Sequence, residues 1–430
     1  MFRFVGYDFD KNTFVANFRY ADEDGLFFTE TVHFKKNIEY SPALDEVLDR
    51  ALKLSFLLAG TSYYKAHPTR GAVLPFGIDK FTAKFLNMVY NEGLSQFAFE
   101  NNLTRKDLVS FKPTLEEDLT KVALPFGQGR ALALQSGGKD SILTATLLDE
   151  EEKDWVAFYA GSTSNHPEMI DEISPAVDHV IREVDINGLN AASARPGYLN
   201  GHVPVTYILM SYALIQAILD HRSVVITSIG HEGEEPHSVI SDSEAGDLAV
   251  NHQWSKTWTA EKYFAEYVHR YISSEIQVGS LLRGYSELKI AELFSEKCWA
   301  KYGHSFSSCN VANYRQKVDN TKLTWCGECA KCANSFLIFA PFVPASELIA
   351  LFGNDLFKNP KLINDFKGLL GVDGAKKPFE CVGEVNELRE AYHKKLEGYA
   401  DLPFEVPTPQ GFSYKNEYPV QDFVKNFSKI

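Results

Sequence analysis

Six consecutive residues, 136–141, have the composition of a loop that binds phosphate. They read Ser-Gly-Gly-Lys-Asp-Ser and stand between an apolar run, 131–134, and a segment of helical periodicity, 141–151. A glycine turn between a strand and a helix lets successive backbone N–H groups surround an anion, and the helix N-terminus adds partial positive charge. Lys139 contributes a full positive charge, whereas Asp140 has the wrong sign for phosphate and is suited to hold Mg²⁺. The stretch therefore predicts a site for the phosphates of a nucleotide.

This loop differs from the commoner Walker A loop, which requires Gly, four residues and then Gly-Lys-Ser/Thr. Ala133 stands where the first glycine would be, and Asp140 follows Lys139. The stretch instead resembles the SGGxDS loop of the PP-loop ATP pyrophosphatases, which cut ATP between the α- and β-phosphates and transfer AMP to a substrate oxygen. The resemblance implies that the departing pyrophosphate is held by Ser136, Gly137, Gly138, Lys139 and Ser141. The alternative is an ordinary glycine-rich turn of an α/β domain.

Four cysteines have the spacing of a metal site. Cys326, Cys329 and Cys332 form two overlapping CxxC spacings, and Cys309 precedes them by 17 residues. Four thiolates in this pattern predict a tetrahedral Zn²⁺ site, which would be structural because no coordination position stays open. An iron–sulfur cluster uses the same soft ligands, and free thiols are the third possibility. The crowding of these cysteines favours a reducing cytoplasm over disulfide bonds.

A group that could transfer protons to and from a substrate carbon is harder to find. Cys381 stands apart from the other cysteines, and a thiol can have a pKa near neutrality, although a lone cysteine is also a common small core residue. His202 and His252 are further candidates, each with a structural role as the alternative. With the phosphate loop, the candidate catalytic residues are Lys139, Asp140, Cys381 and His252.

Two other groups of charged residues have open roles. Arg283 could pair with a substrate carboxylate or with nucleotide phosphates, or it could form a surface ion pair. The turn at 229–235 contains three carboxylates that could face the phosphates or form a solvated acidic run: Glu232, Glu234 and Glu235.

The elements that must position these residues alternate between strands and helices from residue 130 onward. Strands are predicted at 131–134, 155–159 and 224–228, and helices at 141–151 and 206–219. This order predicts a parallel sheet with helices on both faces. Ligands bind beyond the carboxyl ends of such strands, so three turns should meet there. They are 136–141, 161–165, which would border the nucleoside, and 229–235.

The remaining chain divides into two further regions. Two strands, 14–20 and 27–34, precede a helix with apolar residues between Leu44 and Phe56 and a helical stretch at 80–100, which indicates an α+β region. We therefore predict three domains. These are an N-terminal α+β domain at 1–125, a core domain with the cysteines at 126–345, and a C-terminal extension packed on the core at 346–430.

Composition excludes several classes of protein. The 430 residues include 43 basic and 57 acidic side chains, and the net charge of −14 argues against a nucleic-acid surface. No run of about 18 apolar residues predicts a membrane span, and the N-terminal residues lack the pattern of a signal peptide. We expect a cytoplasmic protein whose partner is a small molecule.

Several longer segments together resemble one enzyme family, the MurL epimerases. They are 18–20, 30–32, 201–206, 250–256, 281–291, 325–333 and 377–384. The resemblance spans nearly the whole chain and implies a PP-loop, HUP-like core of the adenine nucleotide alpha hydrolase type. It also implies inversion of the terminal L-glutamate of UDP-N-acetylmuramoyl-L-alanyl-L-glutamate, driven by ATP and Mg²⁺ with release of AMP and diphosphate, for peptidoglycan synthesis.

Two alternatives stay open. The cysteine pattern after the phosphate loop also resembles the cyano-deazaguanine synthases, which lack a counterpart to residues 1–120 and 345–430, so another adenylating ligase or nucleoside-modifying enzyme is one alternative. A nucleotide sensor without catalysis is the other, and the presence of both Lys139 and Asp140 argues against it.

Overall fold

The computed structural model describes residues 1–116, 122–127, 129–231, 233–315, 321–412 and 418–427. Its strands are β1 (Phe2–Asp10), β2 (Val15–Ala21), β3 (Phe27–His33), β4 (Ala72–Val73), β5 (Ala131–Leu134), β6 (Trp155–Gly161), β7 (Val177–Glu183), β8 (Val224–Thr227), β9 (Ser238–Ile240), β10 (Leu248–Val250) and β11 (Gln277–Ser280). The first eight and the last form one sheet of nine strands, and β9 pairs with β10 in a separate hairpin.

The α-helices are α1 (Asp45–Ala59), α2 (Thr61–Tyr64), α3 (Lys80–Asn91), α4 (Ser95–Glu100), α5 (Lys139–Glu150), α6 (Glu168–Ile173), α7 (Ile186–Ser193), α8 (Val205–Leu219), α9 (Trp258–Tyr271), α10 (Glu287–Lys297), α11 (Trp299–Tyr302), α12 (Ala330–Phe339), α13 (Ala345–Phe352), α14 (Ile363–Leu370), α15 (Val385–His393) and α16 (Asp422–Phe427). Short 3₁₀ segments lie at Pro42–Leu44, Arg105–Asp107, Trp254–Lys256, Leu356–Lys358 and Pro360–Leu362, and a π-helical turn lies at Val311–Arg315.

The large sheet has the strand order β11-β8-β5-β6-β7-β3-β2-β1-β4. The five strands from β11 to β7 are parallel, which confirms the predicted α/β arrangement. The N-terminal strands continue the same sheet, because β3 pairs antiparallel with β7 through Thr31 and Glu183. The sheet therefore crosses the predicted boundary at residues 125–126, while the domain division itself stays a prediction.

Alternating residues of the central strands supply two hydrophobic cores, one on each face of the sheet. Leu132 of β5 belongs to the core that includes α1, α3, α8 and α9. Its neighbours Ala131 and Ala133 belong to the core built from α5, α10 and the helices after residue 330. Helix α8 is apolar on nearly its whole circumference, because it lies between α1 and the strands β5, β6 and β8.

The predicted elements of the core agree with the structure to within a few residues, including β5, α5, α8 and β8. The helical stretch at 80–100 is two helices, α3 and α4, that are separated near Gly93. Strand β1 lies in a segment that the sequence pattern had not marked as a strand. Within the described ranges, no helix combines the length and the apolar character that crossing a membrane requires.

Candidate nucleotide and metal site

The phosphate loop follows β5 directly and leads into α5. The N–H of Gln135 donates to the carbonyl of Phe158 at 2.8 Å, which keeps the chain paired to β6 as the loop begins. Gly137 has φ of +76°, a conformation that side chains with a Cβ rarely adopt, and an added Cβ would lie 2.4 Å from Cδ1 of Leu323. Both the backbone and the packing therefore require glycine at this position.

The start of α5 presents backbone N–H groups to this loop. Gly138 is the N-cap, and among the described residues no side chain caps the helix. The hydroxyl of Ser141 instead donates to the carbonyl of Gly138 at 3.1 Å and accepts from the N–H of Ser136 at 3.3 Å. The first N–H groups of an α-helix have no acceptor within the helix, so an anion at this position would satisfy them.

Lys139 lies buried behind the loop between two carboxylates. Its Nζ is 2.6 Å from Oδ1 of Asp140 and 3.4 Å from Oε1 of Glu287. Glu287 begins α10 just beyond the end of β11, and its side chain is fully buried. A buried carboxylate is costly unless cations and hydrogen bonds compensate it, so Lys139 and Glu287 stabilise each other.

The same carboxylate of Glu287 reaches a second element, α12. Its Oε1 accepts from Nδ2 of Asn334 at 3.3 Å and lies 4.0 Å from Nζ of Lys331. The ammonium of Lys331 also donates to the carbonyl of Cys381. The carboxamide oxygen of Asn334 accepts from the N–H of Gly383 at 3.0 Å. Glu287 thus connects the phosphate loop to the two side chains that hold the loop at 381–383.

A second buried carboxylate, Glu387 of α15, lies beside Glu287. Its Oε1 accepts from the N–H of Leu288 at 2.6 Å. An added Cβ on Gly383 would lie 3.1 Å from Oε2 of Glu287 and 3.2 Å from Oε2 of Glu387, so both oxygens border the space beside Gly383. Burial, and next the charge of Glu287, raise the pKa of Glu387 to about 8. Near neutral pH Glu387 is therefore mostly protonated.

The loop at 381–383 also contacts the segment that carries His252. The side-chain amide of Gln253 donates to the carbonyl of Val382 at 2.8 Å. The structure thereby brings the segments of two candidate residues, Cys381 and His252, together. Cys381 is half-buried, so it is not the fully buried core residue that a lone cysteine often is.

His252 has a defined tautomer. Its Nδ1 lies 2.6 Å from Oε1 of Gln96, and Nε2 of Gln96 donates to Oε1 of Glu100 at 2.8 Å. Because the carboxylate of Glu100 fixes the orientation of the amide, Gln96 presents its oxygen and the proton of His252 resides on Nδ1. Burial lowers the pKa of His252 to about 4, so the ring is neutral at pH 7 and its lone pair is on Nε2.

His202 packs against this ring, with the two ring centroids 4.4 Å apart. Burial, and next the charge of His252, lower the pKa of His202 to about 3. The two imidazoles therefore form a neutral pair beside the 381–383 loop.

The four cysteines predicted to bind metal converge in the structure. Their sulfur atoms all lie within 4.8 Å of one another. Cys309 is 3.7 Å from Cys329, Cys326 is 3.7 Å from Cys332, and Cys329 is 3.5 Å from Cys332. Ligands at about 2.3 Å from one tetrahedral zinc ion would be about 3.8 Å apart, so the spacing fits a single ion better than a cluster of several irons.

This cysteine cluster braces the phosphate loop. The N–H of Ser307 donates to the carbonyl of Gly137 at 3.3 Å. The hydroxyl of Ser307 accepts from the N–H of Cys309 at 3.1 Å and donates to the carbonyl of Thr324 at 2.7 Å. An ion bound by the cysteines would therefore fix the segment around Ser307, which lies against the glycine turn.

Two family models match the chain. The MurL N-terminal domain matches residues 1–281, and the MurL C-terminal domain matches residues 305–400. The chain belongs to the MurL family.

Curated relatives extend this match over most of the chain. Three proteins named UDP-N-acetyl-alpha-D-muramoyl-L-alanyl-L-glutamate epimerase are similar to it. The protein of Xanthomonas oryzae pv. oryzae (strain MAFF 311018) is 32% identical over 394 residues, which cover 91% of this chain and 84% of the relative. That of Micromonospora sp. (strain ATCC 39149 / NRRL 15099 / SCC 1413) is 35% identical over 396 residues, 90% of this chain and 84% of the relative. That of Salinispora tropica (strain ATCC BAA-916 / DSM 44818 / JCM 13857 / NBRC 105044 / CNB-440) is 33% identical over 403 residues, which cover 90% of this chain and 82% of the relative.

In this MurL family chain, Arg283 has neither of the roles that its sequence context left open. It is fully buried, with Nε 2.9 Å and Nη2 2.8 Å from Oε2 of Glu261. Its Nη1 donates to the carbonyls of Gly230 and Lys256 at 2.7 and 2.9 Å. Arg283 is therefore an internal brace for the chain after β8, and it is neither a surface ion pair nor directed at phosphate.

Two carboxylates of the turn at 229–235 contradict the interpretation of this turn as a solvated acidic run, and whether the turn faces phosphates stays a prediction. Glu234 accepts from the N–H of Trp258 at the start of α9. Glu235 forms a 2.7 Å ion pair with the buried Lys377 and accepts from the N–H of Val385 at 3.1 Å. These two side chains hold protein elements together, so they are not a solvated run. Glu232 lies outside the described residues.

The chain after β6 does lie next to the phosphate loop. Cγ of Met169, in α6, would be 3.6 Å from a Cβ added to Gly137. Helix α6 therefore lies against the loop, and the contact of the segment 161–165 with a nucleoside stays a prediction. Sequence reasoning missed Glu287, Lys331 and Asn334 as site residues. Glu287 and Lys331 lie within two of the segments that carry the family resemblance, 281–291 and 325–333, and Asn334 directly follows the second. That position was the one sign in the sequence that pointed to them.

Proposed function

We propose that this MurL family member is an ATP-dependent epimerase acting on UDP-N-acetylmuramoyl-L-alanyl-L-glutamate. It would convert the terminal L-glutamate to D-glutamate through an acyl-adenylate, with release of AMP and diphosphate, in peptidoglycan precursor synthesis. The observation that carries the proposal is the series of direct contacts from Lys139 through Glu287 and Lys331 to the carbonyl of Cys381. These contacts join a glycine-rich phosphate loop to a loop with a thiol.

Activation by ATP answers a chemical difficulty. The α-proton of glutamate is a very weak acid while the adjacent carboxylate is ionised, because its removal would add a second negative charge. In the proposed reaction a carboxylate oxygen attacks the α-phosphorus of ATP, and the bond to the β-phosphate oxygen breaks, so diphosphate leaves. The resulting mixed anhydride has no negative charge at its acyl group, so it can delocalise the electron pair that the broken C–H bond leaves on the α-carbon when the base takes the proton. Hydrolysis after inversion releases AMP and makes the reaction one-way.

The phosphate loop would hold the diphosphate. Backbone N–H groups at the start of α5 and the ammonium of Lys139 supply positive charge there. Asp140 is a carboxylate at the same helix start, and one or two carboxylates with substrate phosphates are the usual ligands of Mg²⁺. A phosphate that attracted Lys139 would release Asp140 from its 2.6 Å contact, which would allow Asp140 to hold the metal.

Inversion needs one group that takes the proton and another that returns it from the opposite face. Cys381 and His252 are the proposed pair. His252 is neutral at pH 7 with its lone pair on Nε2, which suits a base, and a thiol suits the complementary acid. The hydrogen bonds from Lys331 and Gln253 to the 381–383 loop would hold the thiol in position. The cysteine cluster would hold Zn²⁺ in a structural role.

The proposal is tested by following three products of one reaction in deuterated water. With ATP and the muramoyl dipeptide nucleotide, wild-type protein should form AMP, diphosphate and D-glutamyl product that carries deuterium at the α-carbon. Exchange of Asp140 for Ala should abolish AMP formation. Exchange of Cys381 for Ala should stop formation of the D-glutamyl product while AMP formation continues, because activation and delivery of the proton to the opposite face use different residues.

Full AMP formation by the Asp140→Ala variant would refute the role of the phosphate loop. Inverted product without deuterium would refute the acid–base scheme. Product formation that requires ammonia would assign the chain to the alternative, another adenylating PP-loop enzyme such as a cyano-deazaguanine synthase-like ligase.

A further inference from the structure

A cavity of about 550 Å³ lies beside the 381–383 loop and has no role in the chemistry described above. It is formed where the segment 375–379 faces Phe99 of α4 and the start of β9. Its volume is within the range of pockets that bind small molecules, about 300–1,000 Å³. A cavity of this size next to the proposed reaction centre could receive a large part of the substrate.

One wall of the cavity is aromatic. The rings of Phe99 and Phe379 are 5.7 Å apart in an edge-to-face arrangement, and the ring of His237 is 5.3 Å from that of Phe379. Burial, and next the charge of Lys377, lower the pKa of His237 to about 3, so this imidazole is neutral. Flat rings of this kind are suited to pack against a nucleobase.

The charged residues of the cavity include one exposed ammonium that an anion can reach. The charge of Lys377 is compensated by its ion pair with Glu235. The side chain of Lys376 is exposed, and its ammonium lies 5.6 Å from the centre of the Phe99 ring. Asp365 is the acidic residue of the lining, and burial followed by the charge of Glu380 raises its pKa. A positive side chain directly beside an aromatic wall is notable in a chain whose net charge is −14.

The cavity and the reaction centre are joined through one short segment. Residues 381–383 bind Lys331, Gln253 and Asn334, while residues 376–379, immediately before them, form the cavity. The ring of His237 in the cavity wall is 6.2 Å from that of His252. A substrate whose glutamate lies at the loop therefore has this cavity within reach of the rest of the molecule.

We infer that this cavity binds the nucleoside diphosphate end of the substrate, with the base against Phe99 and Phe379 and the phosphates at Lys376. This inference rests on the proposed function, because it assigns the far end of the same substrate. The amide of Asn364, also in the lining, offers a donor and an acceptor that match the edge of a uracil. Lys376 is then a residue that determines specificity for the nucleotide-linked substrate.

The test compares the full substrate with muramoyl dipeptide that lacks the nucleotide. Exchange of Lys376 for Gln should raise KM for the nucleotide-linked substrate about tenfold, the size of one lost charge-assisted hydrogen bond, with kcat nearly unchanged. The KM values for ATP and for the dipeptide without nucleotide should not change. Lys376→Arg should retain most of the affinity, and Lys112→Gln, the same charge change at another exposed lysine, is the control.

Calorimetric titration with UDP separates this inference from the proposed function. Wild-type protein should bind UDP, and Lys376→Gln should weaken that binding about tenfold, whether or not the protein turns over substrate. An equal rise of KM for both forms of substrate, or no change of KM for either, would overturn the inference and leave the epimerase function standing. A rise of KM for ATP alone would assign the cavity to adenosine instead. Failure of UDP to bind at millimolar concentration would also overturn it.

Discussion

Replacement of each of the two buried glutamates by Gln should have opposite effects on stability. Glu287 and Glu387 share the space beside Gly383, and both are almost completely buried. Gln has nearly the same shape as Glu, so the substitutions change charge and little else. The environments of the two carboxylates assign the negative charge to Glu287 and the proton to Glu387.

Glu287→Gln should destabilise the protein by about 3 kcal/mol, the lower end of the cost of removing one partner of a buried ion pair. The ammonium of Lys139 would lose a carboxylate at 3.4 Å and that of Lys331 would lose the same group at 4.0 Å. Lys139 keeps Asp140 at 2.6 Å, which is why the larger values in the usual range are not expected. A protein with a typical stability of about 5–15 kcal/mol would remain folded at 25 °C.

Glu387→Gln should instead stabilise the protein at pH 7, by up to about 3 kcal/mol. A carboxyl whose pKa is about 8 in the folded chain must take up a proton on folding at pH 7, and that uptake costs free energy at any pH above its unfolded pKa. Glutamine needs no proton. The gain should therefore vanish near pH 4.5 and grow as pH rises towards 8.

Urea denaturation of the wild type and both variants at pH 5, 7 and 8 measures these differences. The experiment shows which of the two carboxylates carries the proton, because the expected changes in the free energy of unfolding have opposite signs for the two variants. A loss of stability for Glu387→Gln at pH 7, or a gain for Glu287→Gln, would show that the proton resides on the other carboxylate. The contact between Lys139 and Glu287 would then not be an ion pair.

Two further outcomes are expected. Metal analysis should find about one zinc ion per chain. Removal of the zinc by a chelator should lower the melting temperature and also weaken ATP binding, because Ser307 bridges the cysteines and Gly137. Unchanged ATP affinity in the metal-free protein would contradict the bracing role. The low pKa values of His202 and His252 mean that the unfolded chain binds more protons below pH 6.5, so stability should fall as pH drops from about 6.5 towards 4, by about 1.4 kcal/mol per pH unit for each imidazole. Exchange of His202 for Gln should reduce this slope in denaturation experiments at pH 6.5 and 5, and an unaltered slope would show that the ring is not buried in its neutral form.

The parts of the site that sequence predicts are those determined by neighbours in the chain. The 136–141 loop, its strand and its helix follow from a run of about 20 residues, and the convergence of the cysteines follows from CxxC spacing. The strand pairing of β3 with β7 joins Thr31 to Glu183, and no local pattern encodes a contact over that separation. For this reason the N-terminal region looks independent in sequence although its strands extend the central sheet.

Charged side chains are the least predictable, because their role depends on what folds over them. Arg283 and Glu287 stand four residues apart in one short polar segment, and an acidic or basic residue in such a segment is usually exposed. Both are fully buried, since α12 and α15 cover Glu287 and Glu261 of α9 pairs with Arg283. The partners range from Glu261, which is 22 residues from Arg283, to Lys139, which precedes Glu287 by 148 residues, so only the folded chain identifies them.

The first turn of α12 connects the cysteine cluster, the phosphate loop and the loop at 381–383. Cys332 faces the cysteine cluster, while Lys331 and Asn334, three residues apart and hence on one side of the helix, both reach Glu287 and the 381–383 loop. A rotation of this turn would move all three contacts together. An ion on Cys329 and Cys332 would fix the rotation of the helix start, and with it the distance between Lys139, proposed to meet the diphosphate, and the loop at 381–383, proposed to meet the α-carbon. On the proposed function, the cysteines would need no open coordination position to affect catalysis, because their effect would be the alignment of two sites that a single substrate must reach at once.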